Sequence, residues 1–209
     1  MSLKLQVDRL VEGKTSGFDL KLQLGCGHNL LPDWVNTDSA PLVNADYLDF
    51  TRQFPFTGNS FAAVFCEHTI EHVSKAQGLG MVREVFRVLR PGGAFRVVTP
   101  GMENFCRMVL EPQLPAAQKY LAGFRKMLNN TEATISDVMN LIFYGHGHQH
   151  VYTAEELTSL LRGVGFTEIR VMAGGTYGLD VFKGVDGHGR VVGEEFNAIE
   201  AIAVEAVKA

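Results

Sequence analysis

The chain has 209 residues, 46% apolar and 20% charged, with 19 lysines and arginines against 23 aspartates and glutamates and a formal charge of −4. That length supports one sizeable core, and the charge balance excludes binding to nucleic acid or an anionic membrane through overall basic charge. Three cysteines without a C-x-x-C pair read as reduced thiols of a cytoplasmic protein, and residues 1–13 hold no signal-peptide core, nor does any apolar run reach membrane-span length.

Leu3, Leu5 and Val7 alternate and suggest an edge strand or a lead-in. The first clear strand is Leu20 to Leu24, stopped by Gly25-Cys26-Gly27. Glycine there permits positive φ and lets a ligand approach the backbone without a Cβ in the way. A third glycine would complete a pyrophosphate cradle, but that position is Leu30. Leu30 to Asp33 is too short for a helix, and Trp34 to Asp38 reads as a second strand.

In an open α/β sheet ligands sit beyond the carboxyl ends of the strands. Asp38, closing the second strand, can accept both hydroxyls of a ribose; the alternative is a surface turn aspartate. Val43 to Leu48 is a short third strand. Its Asp46 can take an adenine amino group, with Tyr47 or Leu48 over the ring, or it can cap an Asx turn.

Phe61 to Cys66 is a continuous apolar run suited to a buried parallel strand, and it ends at Glu67-His68. Ser74 and Gln77 form a capping box ahead of a helix with Leu79, Val82, Val85, Phe86 and Leu89 on one face, closed by Pro91-Gly92-Gly93. Ala94 to Thr99 is the fifth strand. Residues 102–144 are helical, broken at Pro112 and Pro115, and longer than a crossover needs, which marks a lid or substrate-recognition insertion within one domain spanning 1–209. Thr153 and Glu156 cap another helix, Thr167 to Met172 is a strand, and Ala198 to Val207 a final one after a Gly-rich loop from Gly184 to Gly193.

Leu24-Gly25-Cys26-Gly27, then Asp38, Asp46, the segment from Phe65 to Val73, and Arg87-Val88-Leu89-Arg90-Pro91-Gly92-Gly93 occur in this order over roughly residues 20–170. The ordered set resembles class I S-adenosylmethionine-dependent methyltransferases, and among them small bacterial enzymes of the type 11-like family. The resemblance implies an α/β, Rossmann-like doubly wound sheet of seven strands, order 3-2-1-4-5-7-6, with strand 7 antiparallel and a helical insertion after strand 5. It implies S-adenosyl-L-methionine as cofactor, which has no pyrophosphate and needs no third glycine. By position the cofactor falls on Leu24, Gly25, Cys26, Gly27, Asp38, Asp46 and Tyr47, with Cys66, Glu67 and His68 lining its methionyl group. Two positions depart from the family. Gln23 stands where many members carry an acid, and Ala62 where they carry an aspartate near the start of the fourth strand.

Methyl transfer from a sulfonium is an in-line displacement at an activated carbon, so positioning and exclusion of water account for much of the rate. A base is needed only for an alcohol or a protonated amine, and histidine suits that task. His72, close to the capped helix, reads as packing. His146, His148 and His150 form an H-x-H-x-H row. In an extended segment they share one side, as metal ligands or as a substrate-facing base from His148 or His150; otherwise they are bonded imidazoles of a polar loop. The expectation is a cytoplasmic methyltransferase that O-methylates a small-molecule or glycan-type acceptor, with no nucleic acid, membrane or metal. The alternatives are a non-catalytic cofactor-binding module, a metal-dependent enzyme centred on the His row, and a nucleotide-dependent oxidoreductase, which Leu30 disfavours.

Overall fold

The computed structural model describes residues 20–42 and 44–209. Leu3, Leu5 and Val7, and Val43 at the start of the expected third strand, lie outside the described residues. The strands are β1 (Lys21–Leu24), β2 (Val35–Asp38), β3 (Asp46–Tyr47), β4 (Phe61–Glu67), β5 (Leu89–Pro100), β6 (Phe166–Ala173) and β7 (Ala201–Lys208). They form one sheet in the order β3-β2-β1-β4-β5-β7-β6, with β7 antiparallel to both its neighbours and the other pairings parallel. This is the expected doubly wound arrangement.

Alternation along the strands divides the core. Leu22, Leu24, Val64, Cys66, Phe95, Val97, Val204 and Ala206 face one side. There they meet α1 (Lys75–Val88) through Met81, Val82 and Val85, and α5 (Ala154–Val164) through Leu157 and Leu161. The capping box of Ser74 and Gln77 is formed, and Gly165 ends α5 in the left-handed region that terminates many helices. Thr153 accepts from the Glu156 N–H, but the Glu156 side chain turns away to Lys75 and His150.

The opposite face, formed by Ala63, Phe65, Ala94, Val98, Ala201 and Ala203, has an unusual cover. The β1–β2 connection holds no helix, as its length predicts. Trp34 and Leu31 fill part of the space, and Phe182 and Val185 of the β6–β7 connection fill the rest. Arg96 and Glu205 sit opposite each other on β5 and β7 and face the same cover. Arg96 is fully buried; its guanidinium donates to Asp186 at 2.8 and 2.5 Å, to Glu205 at 2.8 Å and to the Thr176 carbonyl at 2.8 Å. The loop is therefore bolted to the sheet by a buried charge cluster.

The insertion after β5 is three helices: α2 (Met102–Leu110), α3 (Pro115–Met127) and α4 (Ile135–Tyr144). Pro115 occupies the first turn of α3, where its missing N–H costs nothing. The three share a separate apolar cluster built on Phe105, Tyr120, Phe124, Val138 and Ile142. The Gly-rich stretch read as loop contains α6 (His188–Val192), followed by α7 (Glu194–Glu200), which runs directly into β7. Phe196 and Ile199 of α7 pack on the insertion's cluster, so insertion and β6–β7 connection meet. The last strand consequently starts at Ala201 and not at Ala198. Among the described residues no helix is long and apolar enough to cross a membrane.

Candidate functional site

β1 ends in a turn with Gly25 at φ +64 and Gly27 at φ +49. The two glycines serve different needs. A Cβ on Gly25 would overlap the Thr69 side chain, which crosses from the end of β4, whereas a Cβ on Gly27 would meet nothing within 4 Å. Gly27 is thus the residue that leaves open backbone, and Gly25 is required by the protein's own packing. The Gly27 N–H donates to Asp38 Oδ2 at 2.8 Å, and the Ala40 N–H donates to Oδ1 at 2.8 Å. These two bonds fix a half-buried carboxylate at the end of β2, beside the turn, with lone pairs to spare.

Parallel pairing sets Thr37 against Asp46 and Asp38 against Tyr47, so the acid that closes β2 and the acid of two-residue β3 lie at one sheet edge. Tyr47 is 56% exposed, an available ring face. Cys26 is buried; burial, with the charges of Asp38 and Asp46 adding to it, pushes its thiol up to about 11, which removes it as a nucleophile. Leu24 and Cys66 are fully buried on the helix-covered face of the sheet. Gln23 points to the other face, and its side-chain oxygen is buried without a partner.

At the end of β4 the chain turns through His68, held at φ +46 by its N–H bond to the Val98 carbonyl at 2.9 Å. The Glu67 carboxylate accepts the N–H groups of Gly187 at 2.8 Å and His188 at 3.2 Å, and so ties down the β6–β7 connection. Burial raises the pKa of Glu67, and nearby Asp186 adds to this against the two backbone donors. His68 Nδ1 lies 3.1 Å from Oε1 of fully buried Glu71, whose Oε2 accepts the Thr99 hydroxyl at 3.0 Å. Burial opposes a proton on His68, but the Glu71 bond and the charges of Glu71, Glu67 and Glu200 outweigh it and raise the imidazole above its ordinary value. Burial likewise opposes ionisation of Glu71, and His68 overcomes it, so that carboxyl is lowered.

His68 faces His188, with ring centroids 3.9 Å apart. His188 Nε2 lies 2.6 Å from Glu200 Oε1, and the Tyr120 hydroxyl donates to Glu200 Oε2. Burial raises the Tyr120 phenol, and the Glu200 charge raises it further. A chain of polar groups therefore runs Thr99, Glu71, His68, His188, Glu200, Tyr120 across the carboxyl end of the sheet. Of these, the sequence reading named only His68. Glu71 sat inside the Phe65-to-Val73 segment and offered a signal in its spacing from His68. His188, Glu200 and Tyr120 offered none, since the fold brings them together from a loop, a helix end and the insertion.

The His row does not share a side. Residues 145–148 form a turn, with His146 and Gly147 at positive φ, and not an extended segment. His146 is exposed. His148 Nδ1 lies 2.7 Å from the Ile142 carbonyl, with its ring 4.9 Å from that of His72. His150 Nε2 lies 3.0 Å from both oxygens of Glu156, which also pairs with Lys75. The alternative in which His146, His148 and His150 share one side as metal ligands does not match this geometry, because the chain turns through His146 and Gly147, both at positive φ. His72, read as packing, does pack on His148; burial holds its imidazole below the ordinary value.

A family model described as a methyltransferase domain matches residues 34–97. No curated protein matches the sequence. Among solved structures, a SAM-dependent methyltransferase from Archaeoglobus fulgidus superposes with a TM-score of 0.54 at 13% identity, covering 99% of this chain and 93% of that one. A possible histamine N-methyltransferase from Thermotoga maritima gives 0.53 at 16% identity, covering 99% and 88%. Phosphoethanolamine N-methyltransferase 2 of Haemonchus contortus, in complex with phosphomonomethylethanolamine and S-adenosylhomocysteine, gives 0.52 at 12% identity; the match covers 98% of this chain and 52% of that protein, about half its length. The fold is that of the class I S-adenosylmethionine-dependent methyltransferases, and the methyltransferase-domain signature lies within it, from the start of the second strand into the fifth.

Proposed function

We propose that the chain is an S-adenosylmethionine-dependent methyltransferase acting on a hydroxyl of a small-molecule or glycan-type acceptor. The observation that carries the reading is the open backbone at Gly27 beside the anchored carboxylate of Asp38, at the carboxyl edge of a 3-2-1-4-5-7-6 sheet. Asp38 would hold the ribose hydroxyls, and Asp46 and Tyr47 the adenine. Main chain at Leu24, Cys26 and Cys66 would border the methionyl end, with Gln23 offering its unpartnered oxygen as an acceptor there. The cofactor, when bound, supplies a methyl group already activated on a sulfonium.

An alcohol must lose its proton as it attacks, and the His68 lone pair is suited to take it. Glu71 fixes the ring with Nδ1 as the protonated nitrogen, which leaves Nε2 as the acceptor, and that atom is buried without a partner. His148 and His150, the base candidates of the sequence, are turned instead toward Ile142 and Glu156. The insertion, through Tyr120, and the β6–β7 connection, through His188, would wall the acceptor side and exclude water.

Transfer of labelled methyl from S-adenosylmethionine to a panel of matched hydroxyl- and amine-bearing small molecules and glycans tests the acceptor class. Label on alcohols supports the reading. Label confined to amines would reject O-methylation, and cofactor binding without transfer to any acceptor would favour a non-catalytic binding module.

A further inference from the structure

We infer that His68, His188 and Glu200 form a site for one divalent transition-metal ion of the zinc class. The ligand atoms these residues offer lie within 4.8 Å of one another. Two imidazoles and one carboxylate are a ligand set that zinc and its neighbours accept, and three protein ligands leave room for a further oxygen donor.

The surroundings argue more than the proximity does. A metal-ligating histidine usually gives its second ring nitrogen to a carboxylate, which fixes the tautomer and strengthens the ligand. His68 has this arrangement: Nδ1 on Glu71, Glu71 held in turn by Thr99, and Nε2 buried with no hydrogen-bond partner. Such an orphan is costly unless something occupies its lone pair. Glu200 is likewise oriented by the Tyr120 hydroxyl on one oxygen, which leaves the other for the ion. Charge points the same way. Glu67, Glu71 and Glu200 converge on His68, and their partners are backbone N–H groups, hydroxyls and imidazoles. A divalent cation would take the place of the proton that these carboxylates favour on His68, with His188 supplying a neutral ring nitrogen in place of its bond to Glu200.

Glu71, His72 and His148 form a second cluster of the same size, so the test must separate the two. Chelator-treated full chain is titrated with Zn2+ by calorimetry, without S-adenosylmethionine, and with Co2+ as a visible-absorption probe. The expected result is one ion per chain and a Co2+ absorption band. His188→Ala should lose the site, and Glu200→Gln, which keeps the side-chain shape, should weaken it at least as much as an outer partner does. Tyr120→Phe should weaken it about 10- to 100-fold, the range for outer partners. His148→Ala should leave it unchanged. Circular dichroism confirms that each variant is folded. No binding by the folded wild type overturns the site. Loss in His148→Ala but not in Glu200→Gln also overturns it and moves the ion to the second cluster. An ion on His68 Nε2 would take up the lone pair assigned above to the base, so a positive result replaces that role of His68. Cofactor binding is measured separately, so failure of the metal site leaves the methyltransferase reading standing, and failure of cofactor binding leaves the metal site standing.

Discussion

The imidazoles of His68 and His188 face one another with ring centroids 3.9 Å apart, and each has a buried glutamate behind it: Glu71 for His68 and Glu200 for His188. The pairing couples the end of the fourth strand to the connection before the last one, and it gives the site a pH dependence. His68 binds its proton more tightly in the fold than in the unfolded chain. Its contribution to stability is therefore complete below its ordinary value of 6.5 and is lost as the pH rises through the raised one. Glu71 is lowered, so its contribution is present above 4.5 and is lost as the pH falls through the depressed value. The pair stabilises most between those limits. Glu71→Gln should cost about 1.5–3 kcal/mol there, the range for a charged hydrogen bond. In thermal denaturation across pH, the gap between wild type and variant should narrow as His68 loses its proton. A gap of constant size would contradict the pairing.

Gly25 and Gly27 separate packing from binding. Gly25→Ala should destabilise the fold by overlap with Thr69, and Thr69→Gly should restore part of the loss in the double variant, a coupling readable by denaturant unfolding. Gly27→Ala should fold with only the left-handed backbone penalty of about 1–2 kcal/mol, yet weaken cofactor binding. Full affinity in folded Gly27→Ala would move the ligand away from this turn.

Asp38→Ala removes the acceptor of two backbone N–H groups as well as the expected ribose contact. Cofactor affinity should fall by about 1.5–3 kcal/mol, read as the change in dissociation constant. Asp38→Asn, which keeps an oxygen for Gly27, should fall less. Equal affinity in all three proteins would place the ribose elsewhere.

The skeleton of this site is legible in the sequence because its signals are local. The alternating run into Gly25, the short connection through Pro32, the capping box of Ser74 and Gln77 and the apolar run from Phe61 each specify structure within a few residues. The acceptor side is different. His188 reaches Glu200, Glu67 and His68 only because the loop before it is anchored on Arg96, and Arg96 reads in sequence as one more strand residue. Glu200 sits inside the largely apolar stretch Ala198 to Val207, so the strand pattern absorbed it although it ends a helix. The His row misleads for the opposite reason: its two-residue spacing suits a strand, but the turn through His146 and Gly147, both at positive φ, aims His148 and His150 apart.

Arg96→Met tests that anchor. It leaves Asp186 and Glu205 buried without their cation, and breaking a buried pair in this way costs about 3–5 kcal/mol. Replacing all three groups by apolar residues of similar volume should recover much of that loss in thermal denaturation. A stability change below 1 kcal/mol, roughly that of an exposed pair, would mean the cluster does not hold the loop.

His68→Ala against His148→Ala and His150→Ala separates the base candidates. The geometry predicts the largest fall in kcat for His68→Ala, about 10²–10⁴-fold for a lost general base, with little change in cofactor affinity. His150→Ala removes one contact to a half-buried Glu156 that keeps Lys75 as its partner, so it should lose only about 1 kcal/mol of stability. If His148→Ala or His150→Ala is the inactive variant, the base lies on the row and not at the end of the fourth strand.

The most direct measurement is calorimetric binding of S-adenosylmethionine and S-adenosylhomocysteine to the purified chain, with NAD and ATP as controls. The account predicts selective binding of the two sulfur nucleosides, with a dissociation constant near or below the micromolar range, about −8 kcal/mol. Binding of NAD or ATP in their place, or of none of the four, would contradict it.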